Sequence, residues 1–174
     1  MSEKISIIIP VFNARNFLEN LFLNIQAQDY KNLEIIFIDD NSNDNSKFLI
    51  ESFKEKDGRV KLICLKENSG PGIARDKGLE NSTGDYIAFL DVDDSWTPDK
   101  LALQVNFMKK NKYLFTYHDY SIKKNGKLKE IKNTKETTFD KLLVSRPIAL
   151  FTVMISREII KEISFYHENR NYPE

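Results

Sequence analysis

At 174 residues the chain has the size of one domain and is long enough to bury a core between a sheet and its helices. Lys plus Arg number 26 and Asp plus Glu number 26, so no net field invites nucleic acid, and charge can act only locally. The single cysteine excludes an internal disulfide and fits a reducing compartment, the two histidines stand too far apart for zinc-ligand spacing, and no apolar run approaches the roughly 20 residues that span a bilayer.

In chain order, Ile5 to Ile9 reads as a fully buried strand. It is ended by Pro10, which has no amide to give to a ladder, and the turn Val11-Phe-Asn-Ala14 follows. The run on to Asn13 and Arg15 carries no signal-peptide pattern, so a cytoplasmic location is expected. Phe17, Leu18, Leu21 and Ile25 recur at helical spacing and predict an amphipathic helix to about Gln28. Leu33 to Ile38 is a second strand, which empties into the acidic turn Asp39-Asp-Asn-Ser-Asn-Asp44. A helix through Phe48, Leu49 and Phe53 leads to a third strand, Val60 to Leu65, in which Cys64 reads as a buried small hydrophobe.

The loop Glu67-Asn-Ser-Gly-Pro-Gly72 comes next. Gly70 and Gly72 would let backbone approach a ligand closely, and a helix opening at Ile73-Ala-Arg75 would offer free amides to phosphate. An ordinary glycine-rich connection is the plainer reading. Tyr86 to Leu90 is a fourth buried strand, and it runs into Asp91-Val-Asp-Asp94. Thr97 suits the N-cap of the following helix and Pro98 its first position. Three carboxylates in a strand-to-helix loop repel one another unless something positive is shared. A hard divalent cation, Mn²⁺ or Mg²⁺, takes one or two protein carboxylates and completes its shell with phosphate oxygens and water. The alternative is a solvated acidic turn.

The order β-α-β-α-β-α-β implies right-handed crossovers, a mostly parallel sheet and helices on both of its faces. The loops after the strands then share one edge, where residues 39–40 and 91–94 converge. Beyond a helix carrying Leu101, Val105 and Met108, the stretches Leu114 to Ile122 and Lys127 to Ile131 flank Asn125-Gly126, which suits a hairpin turn. Lysines at 123, 124, 127, 129, 132 and 135 read as blocking edge-to-edge pairing of a solvated edge hairpin; contact with an acidic acceptor or a membrane surface is the other reading. Ala149 to Ile155 returns a strand to the sheet, and Ser156 caps a short helix.

Together these stretches resemble the nucleotide-sugar glycosyltransferases of family 2, with the GT-A fold, along the whole chain. Ile7-Ile-Ile-Pro-Val-Phe-Asn13 is similar to that family's first strand and turn, and Ile38-Asp-Asp-Asn-Ser42 to its second acidic turn. Gly70-Pro-Gly-Ile-Ala-Arg75 is similar to the loop ahead of its third helix, and Phe89-Leu-Asp-Val-Asp-Asp-Ser-Trp96 to its Asp-x-Asp motif. Asp76 departs from the pattern, standing where the family usually has Asn, and adds negative charge near the phosphates.

The resemblance implies an inverting, metal-dependent transfer of sugar from a nucleotide diphosphate, UDP in particular, to a glycan or lipid-linked acceptor, serving cell-surface glycan synthesis. Pro10, Val11 and Phe12 would line the base pocket. Asp40 would accept the N3–H of uracil, since an ionised carboxylate only accepts. Asp91 would reach the ribose side of the nucleotide with Val92 beside it, Asp93 would ligate Mn²⁺ or Mg²⁺, Arg75 would assist the diphosphate, and Asp94 would orient the loop. Residues 1–174 are expected to form a single domain, with a nucleotide-binding half to about 110 and an acceptor-side half from 111 that is incomplete. Phe165 to Glu174 is similar to the approach to the family's Glu-Asp pair, which places the general base just beyond Glu174, with Glu168 as its substitute. Association with the inner face of a membrane would be peripheral. Three rivals stand beside this reading: a nucleotide-sugar-binding domain without turnover, a receiver-type phosphorylation domain, and a nucleotidyltransferase. The first strand supplies no acid, as a receiver domain would require, and no basic glycine-rich loop, as a nucleotidyltransferase would.

Overall fold

The computed structural model describes residues 3–124, 126–132 and 148–162. The tail from Phe165 to Glu174, Lys135, and Asn125 of the expected hairpin turn lie outside these residues. Strand β1 (Ile5–Val11) is followed by α1 (Arg15–Gln26), β2 (Leu33–Asp39), α2 (Ser46–Lys56), β3 (Val60–Cys64), α3 (Gly70–Asn81), β4 (Tyr86–Phe89) and α4 (Lys100–Asn111). Then come β5 (Phe115–Thr116), β6 (Tyr120–Lys124), β7 (Lys127–Ile131), a 3-10 turn at Leu150–Thr152, β8 (Met154–Ser156) and α5 (Arg157–Glu162).

The main sheet has the order β3-β2-β1-β4-β8-β5. β1 pairs in parallel with β2, from Ile5 opposite Leu33 to Val11 opposite Asp39, and with β4, from Ile5 opposite Tyr86 to Ile8 opposite Phe89. β8 returns antiparallel to both β4 and β5. Because strand side chains alternate between faces, Ile5, Ile7, Ile9 and Val11 enter a core with α1, α2 and α4, while Ile8, Ile36 and Ile38 meet α3 on the other side. Helices thus cover both faces, which is why β1 and β2 read as nearly unbroken apolar runs.

Several local expectations need correction. Phe17 and Phe48 are exposed, and the inward positions belong to Phe22 and Ile50, so each helix is rotated relative to the reading of its apolar stripe. Cys64 is exposed because β3 is an edge strand and Cys64 is its last residue. Helix α3 opens at Gly70, not Ile73, so Gly72 lies inside the first turn. Helix α4 opens at Lys100 behind Asp99, without a side-chain cap. Thr97 and Pro98 are instead pinned to the end of α1, where the Thr97 carbonyl accepts from Gln28 Nε2 at 2.9 Å and the Pro98 carbonyl from the Asp29 amide at 2.8 Å. The stretch from Leu114 to Ile122 divides: Phe115–Thr116 joins the main sheet, while β6 and β7 pair only with each other, with Lys124 opposite Lys127. Its lysines at 123, 124, 127 and 129 are exposed on a hairpin that is not an edge of the main sheet.

Glu34 ties the sheet together at the edge away from these loops. Its carboxylate accepts from Ser6 Oγ at 2.6 Å, from the Thr83 amide at 2.8 Å and Thr83 Oγ1 at 3.0 Å, and pairs with Lys61 Nζ at 2.5 Å. Burial alone would raise the Glu34 carboxyl, but these donors outweigh it and hold it down at about 2. A carboxylate whose pKa is depressed on folding stabilises the native state above its unfolded value, and that contribution is lost as pH falls from about 4.5 toward about 2. Wild type should therefore exceed Glu34→Gln in urea-unfolding stability by on the order of 3 kcal/mol at pH 7. The gap should narrow steadily between pH 4.5 and pH 2; a gap independent of pH would contradict the assignment.

Gly78 lets α3 lie close on the sheet, since a Cβ there would stand 2.5 Å from Ile8 Cγ2 and 2.9 Å from Ile38 Cδ1. Gly78→Ala should lower stability by roughly 1–3 kcal/mol in chemical denaturation, through overpacking rather than backbone strain.

Candidate active site

The loops after β1, β2, β3 and β4 emerge along one edge of the sheet, with β1 between β2 and β4. The segments around Phe12, Asp40, Gly70 and Asp91 are therefore neighbours in space. Asn13, Asn41 and Asn45 adopt left-handed backbone with φ of 48°, 62° and 67°, a conformation that Asn tolerates better than most side chains and that turns the chain sharply at this edge.

Hydrogen bonds lock the first two loops to each other. The Asn13 amide donates to Ser42 Oγ at 3.0 Å and the Asn43 amide to Asn13 Oδ1 at 2.9 Å. Ser46 Oγ accepts the Ala14 amide at 3.0 Å, and Asp44 accepts the Arg15 amide at 2.9 Å and the Ser46 hydroxyl at 2.5 Å. Asp44 and Ser46 thus satisfy the free amides of the α1 entry from a different loop, and Asp44 is spent on structure. Burial would raise the Asp44 carboxyl, but Ser46 and the Arg15 amide bring it below its ordinary range.

Asp40 is buried, at 3% exposure. Its Oδ1 accepts the Ser69 amide at 2.8 Å and its Oδ2 the Gly70 amide at 2.8 Å. A carboxylate at the start of α3 meets both the unpaired amides and the positive end of the helix dipole. Gly70 has φ of 83°, which presents its N–H to Asp40 while the helix begins. Asp39, equally buried, has one oxygen near the Ser42 amide at 3.3 Å and leaves Oδ1 without a hydrogen-bond partner.

The fourth loop carries the remaining carboxylates. Arg75 reaches from α3 to Asp91, with Nη2 2.5 Å from Oδ1, while Arg75 Nε is buried and unpartnered. Val92 packs against the larger core cluster, Asp93 is exposed, and the Asp94 amide donates to the Asp91 carbonyl at 3.1 Å. Burial, then the charges of Asp93 and Asp91, push the Asp94 carboxyl up to about 6. Among the described residues no three His, Cys, Asp or Glu side chains gather closely enough to form a metal cage by themselves. The donor set, three carboxylates in one loop with Asp93 free, fits a hard cation that uses one or two protein oxygens and takes the rest of its shell from a phosphate ligand and water.

Of the expected site residues, Phe12 is half exposed at the mouth of the edge, Pro10 is partly covered, and the Val11 side chain is buried in the core. Val11 faces the site through its carbonyl, which accepts the Asp40 amide at 2.8 Å. Sequence reasoning missed Lys100, which is buried with its Nζ 3.9 Å from the centre of the Trp96 ring. The available signal was a lysine and a glutamine, Lys100 and Gln104, in the same inward-facing stripe as Leu101, Val105 and Met108.

An open, mostly parallel sheet that presents acidic loops and a helix N-terminus along one edge defines an α/β nucleotide-binding fold. The chain belongs to glycosyl transferase family 2, whose family model matches residues 6–164. It is 34% identical over 162 residues to the Escherichia coli UDP-Glc:alpha-D-GlcNAc-diphosphoundecaprenol beta-1,3-glucosyltransferase WfgD, covering 92% of this chain and 63% of that one. The fold is similar to S. aureus TarS 1-349 in complex with UDP-GlcNAc, with a TM-score of 0.75, 25% identity, and coverage of 91% of this chain and 47% of that one. It is also similar to the mannosyltransferase PcManGT from Pyrobaculum calidifontis in complex with GDP-Man and Mn²⁺, with a TM-score of 0.72, 19% identity, and coverage of 93% and 47%. The chain spans 62–65% of the length of three of the curated glycosyltransferases it matches and 27% of two others. Among the described residues no helix is long and apolar enough to cross a membrane.

Asp40→Asn would replace one of two accepting oxygens by an NH₂ facing a backbone N–H. The variant should unfold at lower urea concentration, with a loss of roughly 1.5–3 kcal/mol, because a buried amide loses a charged acceptor. Wild-type stability in that variant would show that the helix does not depend on this anchor.

Proposed function

We propose that this chain forms the donor-binding part of an enzyme that transfers a sugar from UDP to an acceptor hydroxyl with inversion. The observation that carries the reading is the shared edge, where the exposed Asp93 carboxylate stands beside the Arg75–Asp91 pair and the Asp40-anchored start of α3. The half-exposed Phe12 ring forms a wall for the base, flanked by Pro10 and the Val11 backbone. Each Asp40 oxygen already holds one backbone amide, and its remaining lone pairs are what it offers to the uracil N3–H. Asp91 lies toward the ribose with Val92 beneath it, and Arg75 exchanges part of its contact with Asp91 for the diphosphate.

Asp93 would hold Mn²⁺ or Mg²⁺, which would supply positive charge to offset the charge on the diphosphate leaving group. The acceptor oxygen attacks the anomeric carbon in line, the bond to the diphosphate oxygen breaks, and the hydroxyl proton passes to a carboxylate general base. The glucosyltransferase relative acts, by its name, on a diphosphoundecaprenol-linked sugar, which supports a lipid-linked or glycan acceptor here, in cell-surface glycan synthesis. A cytoplasmic location peripheral to the membrane, with residues 1–174 forming one domain, completes the proposal.

Calorimetry with UDP tests it. Wild type should bind UDP in the presence of Mn²⁺ and weaken on chelation, and Asp93→Ala should lose roughly ten- to a hundredfold in affinity and no longer respond to the metal. Equal binding with chelator, unchanged in Asp93→Ala, would overturn the metal assignment.

A further inference from the structure

A cavity of about 890 Å³ opens directly behind the acidic loop, between Ser95–Thr97, the inward side of α4, and the β6–β7 hairpin. Its volume falls in the range of small-molecule sites. Trp96 and Phe151 supply apolar wall, and the Tyr120 ring meets Phe151 edge to face with centroids 5.3 Å apart. Ser95, Thr97 and Ser121 also line the cavity. The Trp96 wall is held rigidly, since its Nε1 donates to the Phe151 carbonyl at 2.8 Å and its backbone exchanges bonds of 2.9 Å and 2.8 Å with the Asn24 side chain.

Lys100 lines this cavity at 6% exposure, and its Nζ has no hydrogen-bond acceptor. Among the described residues the Trp96 face is what compensates it. A cation–π contact returns about 2 kcal/mol, whereas an unpaired buried ion costs several. Methionine would cover the indole at lower cost, so stability does not account for a lysine here. Burial pushes the ammonium down to about 7, and no carboxylate among the described residues offsets it: Asp119, the one that lines this cavity, is exposed. Nearby, Gln104 holds the Thr116 hydroxyl at 3.0 Å and the Thr152 carbonyl at 3.0 Å through Nε2, and leaves its Oε1 unpartnered. Among the described residues the Lys100 ammonium and Gln104 Oε1 are thus both left without a partner just beneath the lining of an aromatic cavity.

We propose that this cavity binds an anionic sugar, a pyranose ring carrying a phosphate or a carboxylate, with Lys100 as the counter-charge. The aromatic faces take the C–H faces of the ring, Ser95, Thr97 and Ser121 take its hydroxyl edge, and the flexible lysine stem lets the ammonium turn from the indole to the anion. Because Ser95 follows the acidic loop directly, a sugar held here stands next to the donor edge. Its assignment as the acceptor, and only that, rests on the transfer reaction proposed above.

The test is a ligand-observed NMR titration of the whole chain in chelator and without nucleotide, so that the donor edge and its metal play no part. The probes are N-acetylglucosamine 1-phosphate, glucuronate, neutral N-acetylglucosamine and inorganic phosphate. At least one charged sugar should bind tenfold or more tightly than the neutral sugar and than inorganic phosphate. Lys100→Met should abolish that preference while keeping or raising the melting temperature, and Asp93→Ala should leave it unchanged. Preference for the phosphate or for the carboxylate identifies the source of the anion, and either supports the site. Charged sugars binding no better than neutral sugar or free phosphate, or as well in folded Lys100→Met, would overturn it. Loss of UDP binding with this site intact would instead remove the donor reading alone.

Discussion

Parallel pairing of β1 on both sides is the constraint on which the rest depends. A strand with β2 on one flank and β4 on the other, both in the same direction, delivers the ends of all three to one edge. Ile5, Ile7, Ile8 and Ile9 are fully buried because both faces of this strand are covered, and a slip of register would unpack them and part the buried Ser6 from Glu34. The distance between the acidic turns is therefore set by sheet spacing rather than by the loops themselves. Glu34, with Ser6, Lys61 and Thr83, fixes the opposite edge of the same strands.

On that frame the loops divide the work of holding shape and of meeting a ligand. Asp44 and Ser46 are committed to the entry of α1, and Asp40 to the entry of α3. These acids act as fixed acceptors for amides that a helix cannot satisfy within itself. Asp91 is shared with Arg75, while Asp93 remains exposed and Asp94 is left among like charges. The charge excess is thus concentrated in the fourth loop, which is where a cation lowers the energy most. A chain with balanced overall charge acquires a strongly acidic point in this way.

Lys100 is the counterpart of that point, a few residues along the chain and on the other side of Trp96. The acidic loop is exposed and the lysine is buried, so the two do not neutralise each other. Helix α4 begins late because Thr97 and Pro98 are tied to α1, and the delay sets which residues face inward. Trp96 links the β4 loop, α1 through Asn24, and the 3-10 turn through the Phe151 carbonyl. The acidic edge and the cavity behind it consequently share one rigid wall.

The sequence by itself determined the parallel part of the sheet, β1 to β4, and its order of elements, because buried parallel strands are written as apolar runs and each crossover helix carries its own periodicity. It also determined which loops bear acids, since Asp40, Asp91, Asp93 and Asp94 lie directly after strands. It did not determine what those acids do. That Asp44 caps α1, that Asp40 anchors α3, and that Arg75 pairs with Asp91 are contacts between segments far apart in the chain, and only the register of β1 with β2 and β4 brings them together. Helix entries were misplaced for the same reason: Thr97 has the chemistry of a cap, but a carbonyl bond from Gln28 decided its conformation. Cys64 looked buried within its own run and is exposed because its strand forms an edge. Burial of Lys100 likewise depends on what packs around α4, and the stripe it shares with Leu101 and Val105 was its only local signal.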